Sequence, residues 1–229
     1  MKSKLLHYTV ILTGLYGMVL FPAVGQGKNN WTSYNLSPGK IRQVVIENDK
    51  GDVEINALTE GSAANISYRR SCAAEEYNID ISRDGGIINI KGKKTSELSS
   101  DSRSASFKLS MPTEVKIVTK IGMGNISVSE ITGNMLFDVG SGNLDFSWKN
   151  LLPQTVTVNL GNGCIKIKVP DGNYVKSEIA GPPVFFSLIS KIPSPPSLVD
   201  ALKFLTLKGG VGKGCVTIEK QSAFEGYNP

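Results

Sequence analysis

The side chains able to do chemistry are few, and their placement excludes more than it offers. His7, the single histidine, lies in an apolar N-terminal stretch. Without that stretch the chain has no imidazole for a Ser-His-Asp or Cys-His nucleophile, and the usual zinc sites lose their commonest nitrogen ligand. The three cysteines, Cys72, Cys164 and Cys215, show no C-x-x-C spacing and so no redox or zinc signature. Glycan cleavage would need convergent carboxylates, or calcium-binding acids beside a basic residue that abstracts a proton. Asp138 and Asp145 fall in one region, yet the related segment 160–167 has no acid at either equivalent position. Asp52 and Glu54 are far away in sequence. These residues predict no catalytic site, no cofactor and no metal site.

The elements that must position any working residue come from an internal repeat, apolar-Gly-x-Gly-polar-apolar-x-apolar. Its copies are IGMGNISV at 121–128, VGSGNLDF at 139–146, LGNGCIKI at 160–167 and VGKGCVTI at 211–218, with a weaker one, NDKGDVEI, at 48–55. The first three follow one another at 18 and 21 residues, which suits one coil of a solenoid and is too short for a helical repeat. Strict alternation flanks each copy. Val156, Val158 and Leu160 face one way and Thr155, Thr157 and Asn159 the other, then Ile165, Ile167 and Val169 alternate with Lys166 and Lys168. Alternation of this kind is a half-buried strand. The corner glycines Gly122, Gly124, Gly140, Gly142, Gly161, Gly163, Gly212 and Gly214 sit where the chain must turn. They are no phosphate loop, because a strand follows where a nucleotide site needs a helix N-terminus.

So short a repeat cannot bury its apolar face alone, and coils must stack with equivalent strands paired at roughly 4.8 Å. Equivalent positions then become neighbours. Asn125, Asn143, Cys164 and Cys215 share one position, so stacking predicts Cys164 beside Cys215, either as a disulfide or as two stacked thiols.

The segments SMP at 110–112, VKIVT at 115–119 and GNISVSEITGNMLFDVGSGNLDF at 124–146 follow an order of strand, Gly corner and short spacer. In this the chain resembles the bacterial putative adhesin family of unknown function, an adhesin-head-like domain, loosely over 41–220. The resemblance implies an all-β fold, a short right-handed parallel β-solenoid (β-helix), and an envelope or surface setting. It supplies no catalytic residues. About 18–21 residues per coil are expected from the repeat spacing, with an irregular Pro-rich excursion.

Residues 1–25 read as a secretion signal. Lys2 and Lys4 precede an apolar run from Tyr8 to Phe21, and small residues at Ala23 and Gly25 suit cleavage after Gly25. The run is shorter than the roughly 20 residues of a spanning helix, and no transmembrane segment is expected in the mature chain. Removal takes two of 25 basic residues and none of 20 acidic ones, leaving 23 − 20 = +3. The remaining bases are scattered, at Arg69 and Arg70, at Lys91, Lys93 and Lys94, and at Lys166 and Lys168. Without clustered bases interleaved with aromatics, no nucleic-acid partner is expected. A β-solenoid domain is assigned to 28–220 and a tail to 221–229.

Further strands are expected at 41–55, 63–70, 77–82, 87–91 and 106–110, with a polar Ser-rich loop at 93–106. The excursion 172–208 combines five prolines, Pro182 to Pro196, with Val184, Phe185, Phe186, Leu188 and Ile189. It is expected to pack over an end or side of the stack, or to contact a partner, with a short helix from Ser197 to Phe204. The expected function is recognition or scaffolding by an exported, periplasmic or extracellular, non-catalytic module. Its partner would be an envelope or surface component, protein or glycan. The alternative is a carbohydrate-active enzyme of the parallel β-helix type.

Overall fold

The computed structural model describes residues 31–36, 39–95, 103–150, 154–170, 173–181, 184–187 and 204–221. Residues 1–30, which include the expected secretion signal, the stretch 96–102, the segment 188–203 and the tail beyond Gln221 lie outside these residues.

Alternation sets the secondary structure almost throughout. The strands are β1 (Thr32–Asn35), β2 (Gln43–Lys50), β3 (Val53–Ala57), β4 (Asn65–Arg70), β5 (Tyr77–Asp84), β6 (Ile87–Lys94), β7 (Ala105–Met111) and β8 (Lys116–Met123). They continue with β9 (Ile126–Ser129), β10 (Met135–Ser141), β11 (Leu144–Ser147), β12 (Gln154–Pro170), β13 (Tyr174–Ala180), β14 (Val184–Ser187) and β15 (Phe204–Gln221). One three-residue 3-10 turn, Ala74–Glu76, precedes β5. The protein is therefore all-β, a single curled, mixed sheet.

The sheet has two arms joined at the glycine corner. Along the first arm the order is β5-β6-β2-β8-β10, then the leading halves of β12 and β15, then β13. Along the second it is β1-β4-β7-β3-β9-β11, then the trailing halves of β12 and β15, then β14. The repeat copies lie in register. Ile121 pairs with Val139, Val139 with Leu160 and Leu160 with Val211 before the corner, and Ile126, Leu144, Ile165 and Val216 do the same after it. The weak copy joins them, with Asn48 opposite Ile121 and Val53 opposite Ile126. In β12 and β15 the strand runs unbroken through the corner, where two separate strands were expected.

All the inward aliphatic residues of these rows are buried, and they form one core. An aromatic cluster forms part of it. Phe137 meets Phe146 edge-on at 5.2 Å, and Phe146 stacks on Trp148 at 6.0 Å.

Close stacking explains the glycines. Gly142 has φ +151° and Gly163 φ +138°, a region L-residues avoid. A Cβ on either would also overlap the carbonyl oxygen of the corner glycine one coil below, Gly124 or Gly142. Gly51, in the weak copy, belongs to the same column.

Two features depart from a uniform parallel stack. First, β1–β4, β4–β7 and β5–β6 are antiparallel, whereas the repeat predicts parallel pairing only. Residues 63–91 lack the glycine corner. The Gly85-Gly86 dipeptide instead closes a two-residue hairpin, which reverses the chain where a parallel return would need a long crossover.

Second, coil order differs from chain order at both ends. The strand β2 lies between β6 and β8, and β15 lies between β12 and the β13/β14 pair. The expected excursion 172–208 is thus partly an outer coil, β13 and β14, laid down before the coil beneath it. Phe204 begins a strand instead of ending a helix, and the rest of that expected helix, 197–203, lies outside the described residues.

Candidate binding faces

Each arm presents an outward face whose residues are fixed by the same register. On the first arm one outward row runs Asp80, Lys91, Glu47, Lys120, Asp138, Asn159, Gly210, Ala180. Charges alternate along its first five places, so neighbouring strands neutralise one another. Lys91 and Glu47, for example, lie 4.0 Å apart. Where the charges stop there is a shallow trough of about 610 Å³. Asp138 and Asn159 border it, and corner-glycine backbone floors it.

The second arm carries Lys108, Glu54, Ser127, Asp145, Lys166 and Thr217 in one row. Its carboxylates are engaged. Glu54 meets Lys108 at 3.0 Å and accepts from Asn56 Nδ2 at 2.9 Å. Those contacts, Asn56 foremost, hold its pKa below the ordinary carboxylate value. Asp145 pairs with Lys168 at 3.5 Å, and Glu219 with Lys166 at 2.9 Å. A general acid needs its pKa raised by burial, and Glu54 moves in the opposite direction.

Of the four acids singled out in the sequence, Asp138 and Asp145 belong to different arms, on β10 and β11. Asp52 serves the corner, where its Oδ1 accepts from the backbone N–H of Asn125 at 2.8 Å. Among the described residues no group of three or more His, Cys, Asp or Glu side chains could hold a metal ion. No helix of these residues is long and apolar enough to cross a membrane.

Asp52 begins a ladder that climbs the corner. Asn125 Oδ1 accepts from Asn143 N at 3.0 Å, and Asn143 Oδ1 accepts from Cys164 N at 3.0 Å. At the next step the ladder changes chemistry. The Cα atoms of Cys164 and Cys215 are 4.6 Å apart and their sulfurs are bonded. The covalent link thus fastens the late, inserted strand β15 to β12. Cys72 is a buried free thiol, and burial pushes its pKa up, the wrong direction for a nucleophile.

No protein-family model matches the chain, and no curated protein matches it either. Solved structures align with it along most of its length. A putative cell adhesion protein from Clostridium sporogenes aligns at 11% identity over 84% of this chain and 99% of its own, with a TM-score of 0.49. A putative lipid binding protein from Parabacteroides distasonis aligns at 14% identity over 85% and 98%, TM-score 0.29. For a putative adhesin from Bacteroides fragilis the figures are 7% identity, 85% and 98%, and TM-score 0.26. None of these likenesses assigns a role to a residue here.

Of the five residues expected to contact a partner, three lie within the described residues. Val184, Phe185 and Phe186 are within β14, paired with Val216, Thr217 and Ile218 of β15, while Leu188 and Ile189 lie outside the described residues. A group that the repeat pattern does not mark lies at the other end of the second arm. Trp31 immediately precedes β1, and its indole lies against the Arg69 guanidinium at 5.1 Å and the Lys108 ammonium at 5.2 Å. The first expected strand begins at residue 41, so nothing in the sequence pattern ties Trp31 to these bases. Only the antiparallel pairing of β1 with β4 and of β4 with β7 brings them together.

Proposed function

We propose that the protein is an exported, non-catalytic β-solenoid module that recognises or scaffolds a component of the bacterial envelope or surface. The observation that carries this reading is the corner. Stacked glycines, the Asp52–Asn125–Asn143 ladder and the Cys164–Cys215 link hold successive coils in one register, so outward side chains are presented at fixed spacing on a stiff frame. Such preorganisation favours binding, because little freedom remains to be lost on association. The engagement of Glu54, Asp145 and Asp52 with structural partners supports recognition over glycan cleavage, since a cleaving pair must be free to exchange protons.

The test is a screen of the chain lacking residues 1–25 against envelope polysaccharides, with and without calcium. Saturable binding without turnover is the expected result. Release of new reducing or unsaturated ends would contradict it. Export itself is checked by intact mass of the protein recovered from the producing cell, which is expected to begin at Gln26.

A further inference from the structure

The Trp31 cluster has the composition of a ligand site. The protein's other tryptophan, Trp148, is 1% exposed inside the core, whereas Trp31 keeps part of its indole surface in solvent. The ring is laid against the outward face of β4 and β7. There Arg69 stands opposite Ser106, and Ser67 opposite Lys108. Two cations bear on one indole, at 5.1 and 5.2 Å, which holds the ring flat through attraction to its negative π-face.

The two cations are not equivalent. Lys108 is shared with Glu54 at 3.0 Å. Arg69 is exposed, and among the described residues it contacts the indole and forms no ion pair. The guanidinium N–H donors lie in the guanidinium's own plane, a fork that fits the two oxygens of a carboxylate or sulfate. With Lys108 offset by Glu54, the local balance is one positive charge. Asn56, bonded to Glu54 Oε1 at 2.9 Å, adds an amide at the same margin.

A ligand satisfying all of these groups has a flat C–H face for the indole, an anionic group for Arg69, and hydroxyls for Glu54 and Asn56. That is the chemistry of an acidic pyranose. We propose that Trp31, Arg69 and Lys108, with Glu54 and Asn56 at the margin, form a binding site for an acidic saccharide, a uronic acid or a sulfated sugar. The site rests on the recognition reading above in taking the outward face as the working surface. Simple anchoring of β1 by Trp31 would account for the stacked cations. The exposed Arg69 guanidinium beside the indole leaves its N–H donors to water, which an anionic group can displace.

The experiment is calorimetric titration of the mature protein with trigalacturonate, with a sulfated heparin disaccharide and with neutral maltotriose. Wild type is expected to bind at least one acidic probe saturably, with affinity falling as salt rises. Arg69→Ala and Trp31→Ala should each weaken it by about tenfold or more. Arg69→Lys keeps the charge but loses the planar fork, and should also weaken binding. Because Trp31→Ala could release β1, the two Arg69 variants decide the matter where that chain has lost structure. The site is overturned if neither acidic probe saturates wild type, if the Arg69 variants bind as tightly as wild type, or if maltotriose binds equally well. Binding that survives unchanged in the variants would reject this site while leaving the recognition reading intact. A wild type that binds no envelope polysaccharide at all would reject both.

Discussion

The middle of the sheet and one of its ends solve the same problem by different means. In the glycine-cornered region, from β8 to β12, each coil is held by the one beneath it, and the backbone has no latitude. Gly163 has φ +138°, and a Cβ there would overlap the carbonyl of Gly142. At the end built from β4, β5, β6 and β7, one such overlap persists, Gly51 against the Ala105 carbonyl, and side chains supply the rest of the closure. The Tyr77 hydroxyl, fully buried, donates to Asn48 Oδ1 at 2.7 Å and accepts from Lys50 N at 3.2 Å, and Asn48 Nδ2 donates to the Ala105 carbonyl at 2.9 Å. This network occupies the corner of the outermost coils, where Asn48 replaces the aliphatic residue of its row. Gly85, in the β5–β6 hairpin, has φ +55°, and a Cβ there would meet open space. The repeat therefore constrains by backbone overlap, and the end chiefly by hydrogen bonds that can be removed one at a time.

The largest effect should come from breaking the corner. Gly142→Ala is expected to destabilise by about 4 kcal/mol or more, or to prevent folding, because the residue is caught between a left-handed φ and a neighbouring carbonyl. Gly85→Asn should cost less than about 1 kcal/mol, since Asn tolerates that backbone region and meets no neighbour. Urea denaturation of both variants measures the contrast directly, and equal losses would remove it.

Next comes the link between β12 and β15. With its cysteines 51 positions apart in sequence, loss of the Cys164–Cys215 bond should cost about 4 kcal/mol on the chain-entropy account. Cys164→Ser with Cys215→Ser, compared with wild type in the presence and absence of reductant, reads this value. Reductant should affect wild type alone.

At the other end, Tyr77→Phe leaves Asn48 Oδ1 without its donor and should cost about 1–3 kcal/mol. It should also change the pH dependence. Burial first of all pushes the Tyr77 phenol from 10.0 up to about 12. The neutral form is thus favoured by folding, so its contribution is complete below pH 10 and is lost as the pH rises towards 12. The alkaline limb of stability should shrink in the variant. It should not vanish, because Tyr34 is also pushed up to about 12, chiefly by burial. The smallest effect concerns Thr119, whose buried Oγ1 has no hydrogen-bond partner. Thr119→Val should be neutral or stabilising by up to about 1 kcal/mol, measured as a small rise in thermal midpoint.

The same contrast explains what was legible in the sequence. Where glycine and alternation recur, as at 121–128, 139–146 and 160–167, position along the repeat fixes which residues touch, and the neighbourhood of Cys164 and Cys215 follows from counting. Nothing local encodes that β2 sits between β6 and β8, or that β15 slides between β12 and β13. A strand's alternation is the same whichever neighbour it takes, so coil order depends on long-range pairing that the pattern does not record. The antiparallel strands escaped for a related reason. Only the Gly85-Gly86 pair signals a reversal, and a glycine pair in a chain with 24 glycines is easily absorbed into the repeat. The Trp31 cluster depends on those antiparallel pairings and was invisible for the same cause.

That equivalent repeat positions sit one above another can be tested by covalent capture in solution. In a background with Cys164 and Cys215 changed to serine, Asn125→Cys with Asn143→Cys places two thiols at the position those cysteines occupy two coils further along. Asn125→Cys with Asp145→Cys displaces one of them by two residues. Mass spectrometry after oxidation and alkylation is expected to find the first pair joined within the chain and the second pair alkylated. Free thiols in the first pair, or equal joining in both, would contradict the register on which the stack is built.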